Sequence, residues 1–333
     1  MVELTSKEFF AKQRKAEEEV LNLLISGPKM NKEYFINTIT IIVEGKLDHE
    51  VFSSIKKEGA PLWIESIFSL LDMHDIDEET EELVNNKSLV NKFTKEMNKL
   101  GCLCIGIQDM DLDGMKNLLD SKPLLNHQIK KNIVKTSEAR DMEMLLISRL
   151  HEKNRDFFLF RDLAKNIELS KNIGLIRYAI CSMRKNGNKI LSQKDISDLF
   201  PNYHRYKHSK KNGQTYEQAC KSHRDRCASV SLILDALVKK GKIKSENKEE
   251  ILLHLNITKE LISRNLEDFS SNWQFYIQGH DLEWFIRDSI GVGVNQFRGK
   301  LTSIVRYDDI KSHSMFKSLD KWRENKDFPE LFA

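Results

Sequence analysis

Ile105–Gly114 reads IGIQDMDLDG. The apolar run from Cys102 to Ile107 follows Gly101 and has the length of a strand. It stops at Asp109, with Asp111 and Asp113 at every second position beyond. Alternate residues of an extended chain share a face, so several carboxylates can point the same way just past a strand end. Like charges at this spacing repel, and a hard divalent cation with oxygen ligands is the usual way to neutralise them. A solvated acidic turn is the other reading of D-x-D-x-D taken alone.

Upstream, Thr38–Gly45 reads TITIIVEG. A β-branched run with no larger polar side chain suits a parallel strand buried on both faces. It ends at Glu44-Gly45, and a helix pattern starts at Asp48, with Val51, Phe52 and Ile55 on one face. Pro61–Leu71 reads as a second strand. Ser88 is placed to cap a helix carrying Leu89, Phe93, Met97 and Leu100, which Gly101 closes. Before all of these, residues 7–25 read as an amphipathic helix marked by Phe9, Phe10, Val20, Leu21 and Leu24. Strand, helix, strand, helix, strand predicts an α/β fold with a mostly parallel sheet flanked by helices. In such sheets the ligand crevice lies at the carboxyl ends of the strands, where Glu44 can meet the aspartates.

Downstream, Asn132–Thr136 reads as a strand and Ala139–Leu150 as a helix with Asp141 and Glu143 in its first turn. The helix dipole favours carboxylates there in any protein; the functional reading gives one of them to a second metal position. From 151 to 270 helical patterns dominate: Ile173–Met183, Ile190–Leu199, Tyr216–Val238 and Ile251–Phe269. Within this large helical insertion, Tyr203–Lys211 reads YHRYKHSKK. Arg205, Lys207, Lys210 and Lys211 interleaved with aromatics suit phosphate contact and base stacking, and Arg224 extends the basic set. A solvated charged face is the alternative. Cys220 and Cys227 match no zinc-site spacing with the nearby histidines and read as structural. Trp273–Ile277 reads as a strand returning to the first sheet, ending at Gly279-His280-Asp281. His280 there can orient a carboxylate, touch phosphate or cap a helix with Asp281. The expected division is a first catalytic part over 1–150, the helical insertion over 151–270, and a return to the sheet with C-terminal helices over 271–333.

Composition sets the outer bounds. The chain has 333 residues, 40% hydrophobic, with a net charge of +3. A mean hydropathy of −0.49 describes a soluble globular protein. No apolar run approaches a membrane span. The opening MVELTSKEFFAKQRK lacks the apolar core of a signal peptide, so a cytoplasmic location is expected. Five cysteines fit reduced thiols.

A strand ending in V-E-G followed by a strand ending in D-x-D resembles the Toprim domain, the metal-binding catalytic module of primases, topoisomerases and OLD-type nucleases. Val43-Glu44-Gly45-Lys46-Leu47-Asp48, with Phe52 after it, is similar to the OLD-like Toprim effectors of anti-phage defence, such as the Toprim subunit of PARIS systems. Arg140-Asp141-Met142-Glu143 and Gly279-His280-Asp281-Leu282 fit the same family. The resemblance covers 1–150 and 271–300. It implies a Mg²⁺- or Mn²⁺-dependent nuclease. Glu44, Lys46, Asp109 and Asp111 would be catalytic. Glu44, Asp109, Asp111, Asp113 and Glu143 would hold metal, and Asp48, Asp141, His280 and Asp281 are further candidates. It also implies a toxic effector acting on tRNA or DNA and held by an ABC-type ATPase partner. That ATPase is not in this sequence, which carries no G-x-x-x-x-G-K-[ST]. An edge strand or the C-terminal helix offers a surface for a homodimer. A non-catalytic Toprim-like module that binds nucleic acid or the ATPase is the alternative, and small-molecule phosphatase or nucleotidyl-transferase chemistry would use the same groups.

Overall fold

The structure, a computed structural model, describes residues 6–110, 131–136, 139–156, 158–185, 190–201, 215–265, 273 and 277–333. In chain order the elements begin with α1 (Ser6–Leu24), α2 (Ser26–Met30), α3 (Lys32–Ile36), β1 (Ile39–Val43), α4 (Lys46–Ser54), β2 (Leu62–Ser66) and α5 (Ile67–Met73). They continue with α6 (Glu78–Leu83), α7 (Asn86–Lys99), β3 (Leu103–Gln108) and β4 (Ile133–Lys135). Then come α8 (Met142–Glu152), α9 (Leu163–Lys185), α10 (Gln193–Ser197), α11 (Tyr216–Cys227), α12 (Val230–Lys239), α13 (Asn247–Asn265) and α14 (Gly279–Ile290). The chain closes with α15 (Val294–Ile304), α16 (Tyr307–Ile310) and α17 (Ser314–Glu324).

The described residues fall into two compact units. One holds 6–110, 131–136 and 298–333; the other lies within 139–297. The first is an α/β unit. Its four strands are all parallel, in the order β2-β1-β3-β4. β1 is buried along all five residues because it has a strand on either side and helices above and below. Parallel pairing requires crossovers, which α4 supplies between β1 and β2 and α5 to α7 supply between β2 and β3. On one face α1, α5 and α7 deliver Val20, Leu24, Ile67, Leu71, Leu89, Val90, Phe93 and Met97 to a core with Ile42 and Cys104. Gly106 lets α7 lie directly on β3: a Cβ there would come within 2.7 Å of Val90 Cγ1 and Thr94 Oγ1. In a second aromatic cluster Phe52 of α4 meets Phe316 and Phe332, with centroids 5.5 and 5.8 Å away. The chain end is pinned there, where Ala333 N donates to Ile55 O at 2.9 Å.

Several local expectations change. Pro61–Leu71 is a short strand followed by a helix, because Ser66 Oγ accepts Ser69 N at 2.9 Å and caps α5. Asn85, not Ser88, caps α7; the Ser88 hydroxyl donates instead to buried Glu17 at 2.7 Å. Phe9 and Phe10 are exposed rather than core.

The second unit is helical. α9 is its spine, packed by α10 to α14 around Ile176, Ile180, Leu234, Leu237, Ile251 and Phe285. The single helix expected over Tyr216–Val238 is two, because Ser229 caps the start of α12. The expected strand at Trp273–Ile277 is not formed at its described ends. Trp273 lies in a 3₁₀ turn and Ile277 in a bend. The segment that rejoins the sheet unit is 298–333 rather than 271–333. α8, expected with the sheet, belongs to the helical unit, since Met144, Leu145, Leu146 and Ile147 are buried and α8 packs on α14. Among the described residues, no helix is long and apolar enough to cross a membrane.

Candidate active site at the carboxyl ends of β1 and β3

In the order β2-β1-β3-β4 the chain goes from β1 to β2 on one side and from β3 to β4 on the other, the switch point at which such sheets place a ligand crevice, between the carboxyl ends of β1 and β3. Glu44 is the first residue after β1. Its Oε1 accepts the backbone N–H of Asp109, the first residue after β3, at 3.1 Å. Met110 N donates to Thr136 Oγ1 at 3.0 Å, and Thr136 N donates to Gln108 O at 3.0 Å. The chain leaving β3 is thus tied to the β1 side by Glu44 and to the β4 side by Thr136. Lys87, at the start of α7, donates its ammonium to Asp109 O at 2.7 Å, while Gln108 Nε2 donates to Lys87 O at 2.7 Å. Thr136, Gln108 and Lys87 were not singled out from sequence. They act through contacts between strand ends that no local pattern encodes.

Gly45 is the extended residue before α4, and its N–H donates to Asp48 Oδ2 at 3.0 Å. Asp48, a sequence candidate, is buried and serves this helix start. Lys46 is exposed in the first turn of α4, where a cation opposes the helix dipole and the free N–H groups favour an anion. Glu65, at the end of β2, is a further carboxylate on this side of the sheet, 4.0 Å from His49. Asp111 and Asp113 lie outside the described residues, as do Arg205, Lys207, Lys210 and Lys211.

In the helical unit a second constellation forms where α8 and α14 begin. Asp141 caps α8, its Oδ1 accepting Met144 N at 3.0 Å, and its Oδ2 accepts Gly279 N at 2.8 Å. Only glycine fits at 279: a Cβ would lie 2.2 Å from Asp141 Oδ1 and 2.6 Å from Glu143 Cβ. This close approach brings His280 Nδ1 within 3.1 Å of Glu143 Oε1 and 3.9 Å of Glu283 Oε2. Both carboxylates are buried, whereas the His280 side chain is 61% exposed. Hydrogen bonds to Glu143 and Glu283 push the His280 imidazolium up to about 11. Burial, then the Glu143 carboxylate, pushes Asp141 up to about 7. Glu143, His280 and Glu283 offer one nitrogen and two oxygens within 4.8 Å of one another, a set able to hold a divalent ion. Without an ion, the imidazolium between two carboxylates satisfies the same charges.

Two sequence candidates turn inward. Asp281 is buried and receives both Nε and Nη2 of Arg177, at 2.7 and 2.9 Å. Arg224, expected to touch nucleic acid, donates to Asp288, Asn166, the Phe285 carbonyl and Ser289. It is a packing residue because α11 lies against α14. His223, Cys220 and Cys227 are buried in the same core, and all five cysteines are free.

Set against protein-family models, characterised proteins and solved structures, the chain has no match.

Proposed function

We propose that the chain is a metal-dependent nuclease of Toprim type, cleaving phosphodiester bonds of tRNA or DNA at the β1–β3 crevice. The observation that carries this reading is the meeting of Glu44 with the Asp109 backbone at the strand ends where the sheet order reverses. The donor set fits Mg²⁺ or Mn²⁺. Glu44 and Asp109 supply hard oxygens, Asp111 and Asp113 follow in sequence, and such ions are often held by few carboxylates plus substrate phosphate. A bound ion would polarise the scissile phosphate and stabilise the leaving oxygen. Glu44 accepts the Asp109 N–H and holds the β3 end in place, and in this reading it would also serve as a general acid or base. Lys46, exposed at the dipole-positive start of α4, would receive a phosphate oxygen. Glu143 with His280 is the second set of groups able to take a divalent ion.

In this reading the chain is a toxic effector of anti-phage defence, controlled by an ABC-type ATPase partner. The test incubates the protein and its Glu44→Gln form with plasmid DNA and total tRNA in Mg²⁺, Mn²⁺ or EDTA. Cleavage that requires both the ion and Glu44 supports the proposal. Cutting by Glu44→Gln at the full rate would remove Glu44 from the mechanism.

A further inference from the structure

We infer that the outer face of α7, with the turn entering β4, is a binding track for the phosphodiester backbone of a polynucleotide, leading away from the β1–β3 crevice. The inference rests on the nuclease reading for its purpose, but on different residues.

α7 buries Leu89, Val90, Phe93, Thr94 and Met97 against the sheet. Its other side carries Lys87, Asn91, Lys95 and Asn98, spaced by three or four residues, with Lys99 beside them. That spacing puts them in one row along the helix. The row starts at the crevice, where Lys87 Nζ reaches Asp109 O at 2.7 Å. It runs opposite to β3, because Asn98 Nδ2 donates to Cys104 O at 2.8 Å near that strand's beginning. Lys87 to Lys99 spans about 18 Å at 1.5 Å per residue.

The far part of the row forms one wall of a groove of about 680 Å³, lined by Lys92, Lys95, Lys99 and Lys131, with Asn91 and Asn132 between them. The opposite wall is a fixed turn. Lys131 and Asn132 have φ of 53° and 59°, and Asn132 is held from two sides. Its Nδ2 donates to Asn98 Oδ1 at 2.9 Å, and Trp322 Nε1 donates to its Oδ1 at 3.3 Å. A left-handed pair of non-glycine residues is strained, and here it delivers Lys131 across the groove from α7. Lys92 and Lys99 are each paired with one carboxylate, Glu17 and Glu96. Among the described residues, Lys95 and Lys131 have no acidic partner. Two exposed ammonium groups with no acidic partner among the described residues, Lys95 and Lys131, interleaved with amide donors, suit a chain of phosphates. Ammonium contacts of this kind carry no base preference.

The test measures anisotropy of a labelled single-stranded oligonucleotide with the full chain in EDTA, across a salt series. Lys95→Gln/Lys131→Gln removes two exposed charges. Lys15→Gln/Lys244→Gln removes the same charge from other surfaces. The expected result is at least tenfold weaker binding for the first variant at about 0.1 M salt, with wild-type binding for the second. The slope of log K against log salt should flatten by about 1.4, given roughly 0.7 per phosphate contact on single strands. A Lys95→Gln/Lys131→Gln variant that binds like the control, or a wild-type chain that binds no polynucleotide at 50 mM salt (roughly the low-salt end of such series), overturns the inference. The two readings fail separately. Lysine-dependent binding without ion-dependent cleavage sinks the nuclease alone, and Glu44-dependent cleavage with binding indifferent to Lys95 and Lys131 sinks the track alone.

Discussion

The Glu44 carboxylate accepts the backbone N–H of Asp109 at 3.1 Å, joining the ends of two adjacent parallel strands. One oxygen is used in holding the turn. Glu44→Gln keeps an acceptor for that N–H and removes only the charge. The fold should therefore survive, with a melting temperature within a few degrees of wild type, while ion-dependent cleavage is lost. Circular dichroism melting and a cleavage assay on the same preparation check both halves.

Ion binding at the crevice should also be visible without turnover. A ligand present at about 100 times its Kd stabilises the folded state by roughly 2.7 kcal/mol. Added Mg²⁺ or Mn²⁺ should raise the melting temperature over that in EDTA, and Glu44→Gln should lose most of the shift. An unchanged shift in Glu44→Gln would place the ion elsewhere, with Glu143, His280 and Glu283 the next set to test by substitution.

The parts of this architecture readable from sequence are those written locally. β1 and β3 are continuous apolar runs because both faces are covered, and each ends at the acidic residue that marks the crevice. Contacts between distant segments were not readable. Arg177 meets Asp281 across 104 positions, and Arg224 is drawn to Asp288 across 64, so an arginine that reads as a surface cation is half-buried and hydrogen-bonded to α14. The fourth strand, Ile133–Lys135, falls inside the Asn132–Thr136 run that reads as a strand, but its place beside β3 shows only in its pairing with Gly106–Gln108; Trp273–Ile277 also has the composition of a strand, yet its described ends are a 3₁₀ turn and a bend. Lys87 and Thr136 bear on the crevice through hydrogen bonds to backbone atoms, which leave no trace in side-chain patterning.

Gly279 is the contact point of α8 and α14. Its φ is not unusual, so the constraint is space rather than backbone conformation. Gly279→Ala would force a methyl to within 2.2 Å of Asp141 Oδ1. Overpacking of this kind costs about 1–3 kcal/mol. The denaturation midpoint should fall accordingly, and the Asp141–Gly279 N–H bond should open, seen as faster amide exchange at Gly279.

Asp141 also gives stability a dependence on pH. Its ordinary value is 3.8 and burial raises it to about 7 in the folded chain. The folded state therefore holds a proton that the unfolded state has lost between about pH 4 and 7, and this contribution falls as pH rises through that window. His223 acts in the opposite sense: burial lowers it from 6.5 to about 3, so its contribution is present above 6.5 and is lost as pH falls. His280, raised to about 11, contributes fully below 6.5, and its contribution falls progressively from there until it is gone near pH 11. Asp141→Asn should leave His223 in place and remove the first effect. The expected outcome is a variant less stable at pH 4.5, where the proton helps, and closer to wild type at pH 7, read from urea midpoints. A constant difference between the two proteins over that range would rule out Asp141 as the source.

Arg177 and Asp281 form a buried two-pronged ion pair, with side chains 3% and 5% exposed. Removing one partner leaves a charge without water or counter-ion, which costs about 3–5 kcal/mol; replacing both with apolar groups costs far less. Arg177→Met alone should therefore destabilise the chain strongly, because Asp281 stays buried in α14 beside His280. Arg177→Met/Asp281→Leu should recover much of the loss. Equilibrium unfolding of the two single variants and the double variant supplies the cycle, and a coupling near zero would show that Asp281 is held by the packing of α14 rather than by Arg177. If the coupling is large, the pair fixes the start of α14, where Asp281 directly follows His280. Arg177→Met should then shift the His280 imidazole resonances in proton NMR, although the two residues lie on different helices.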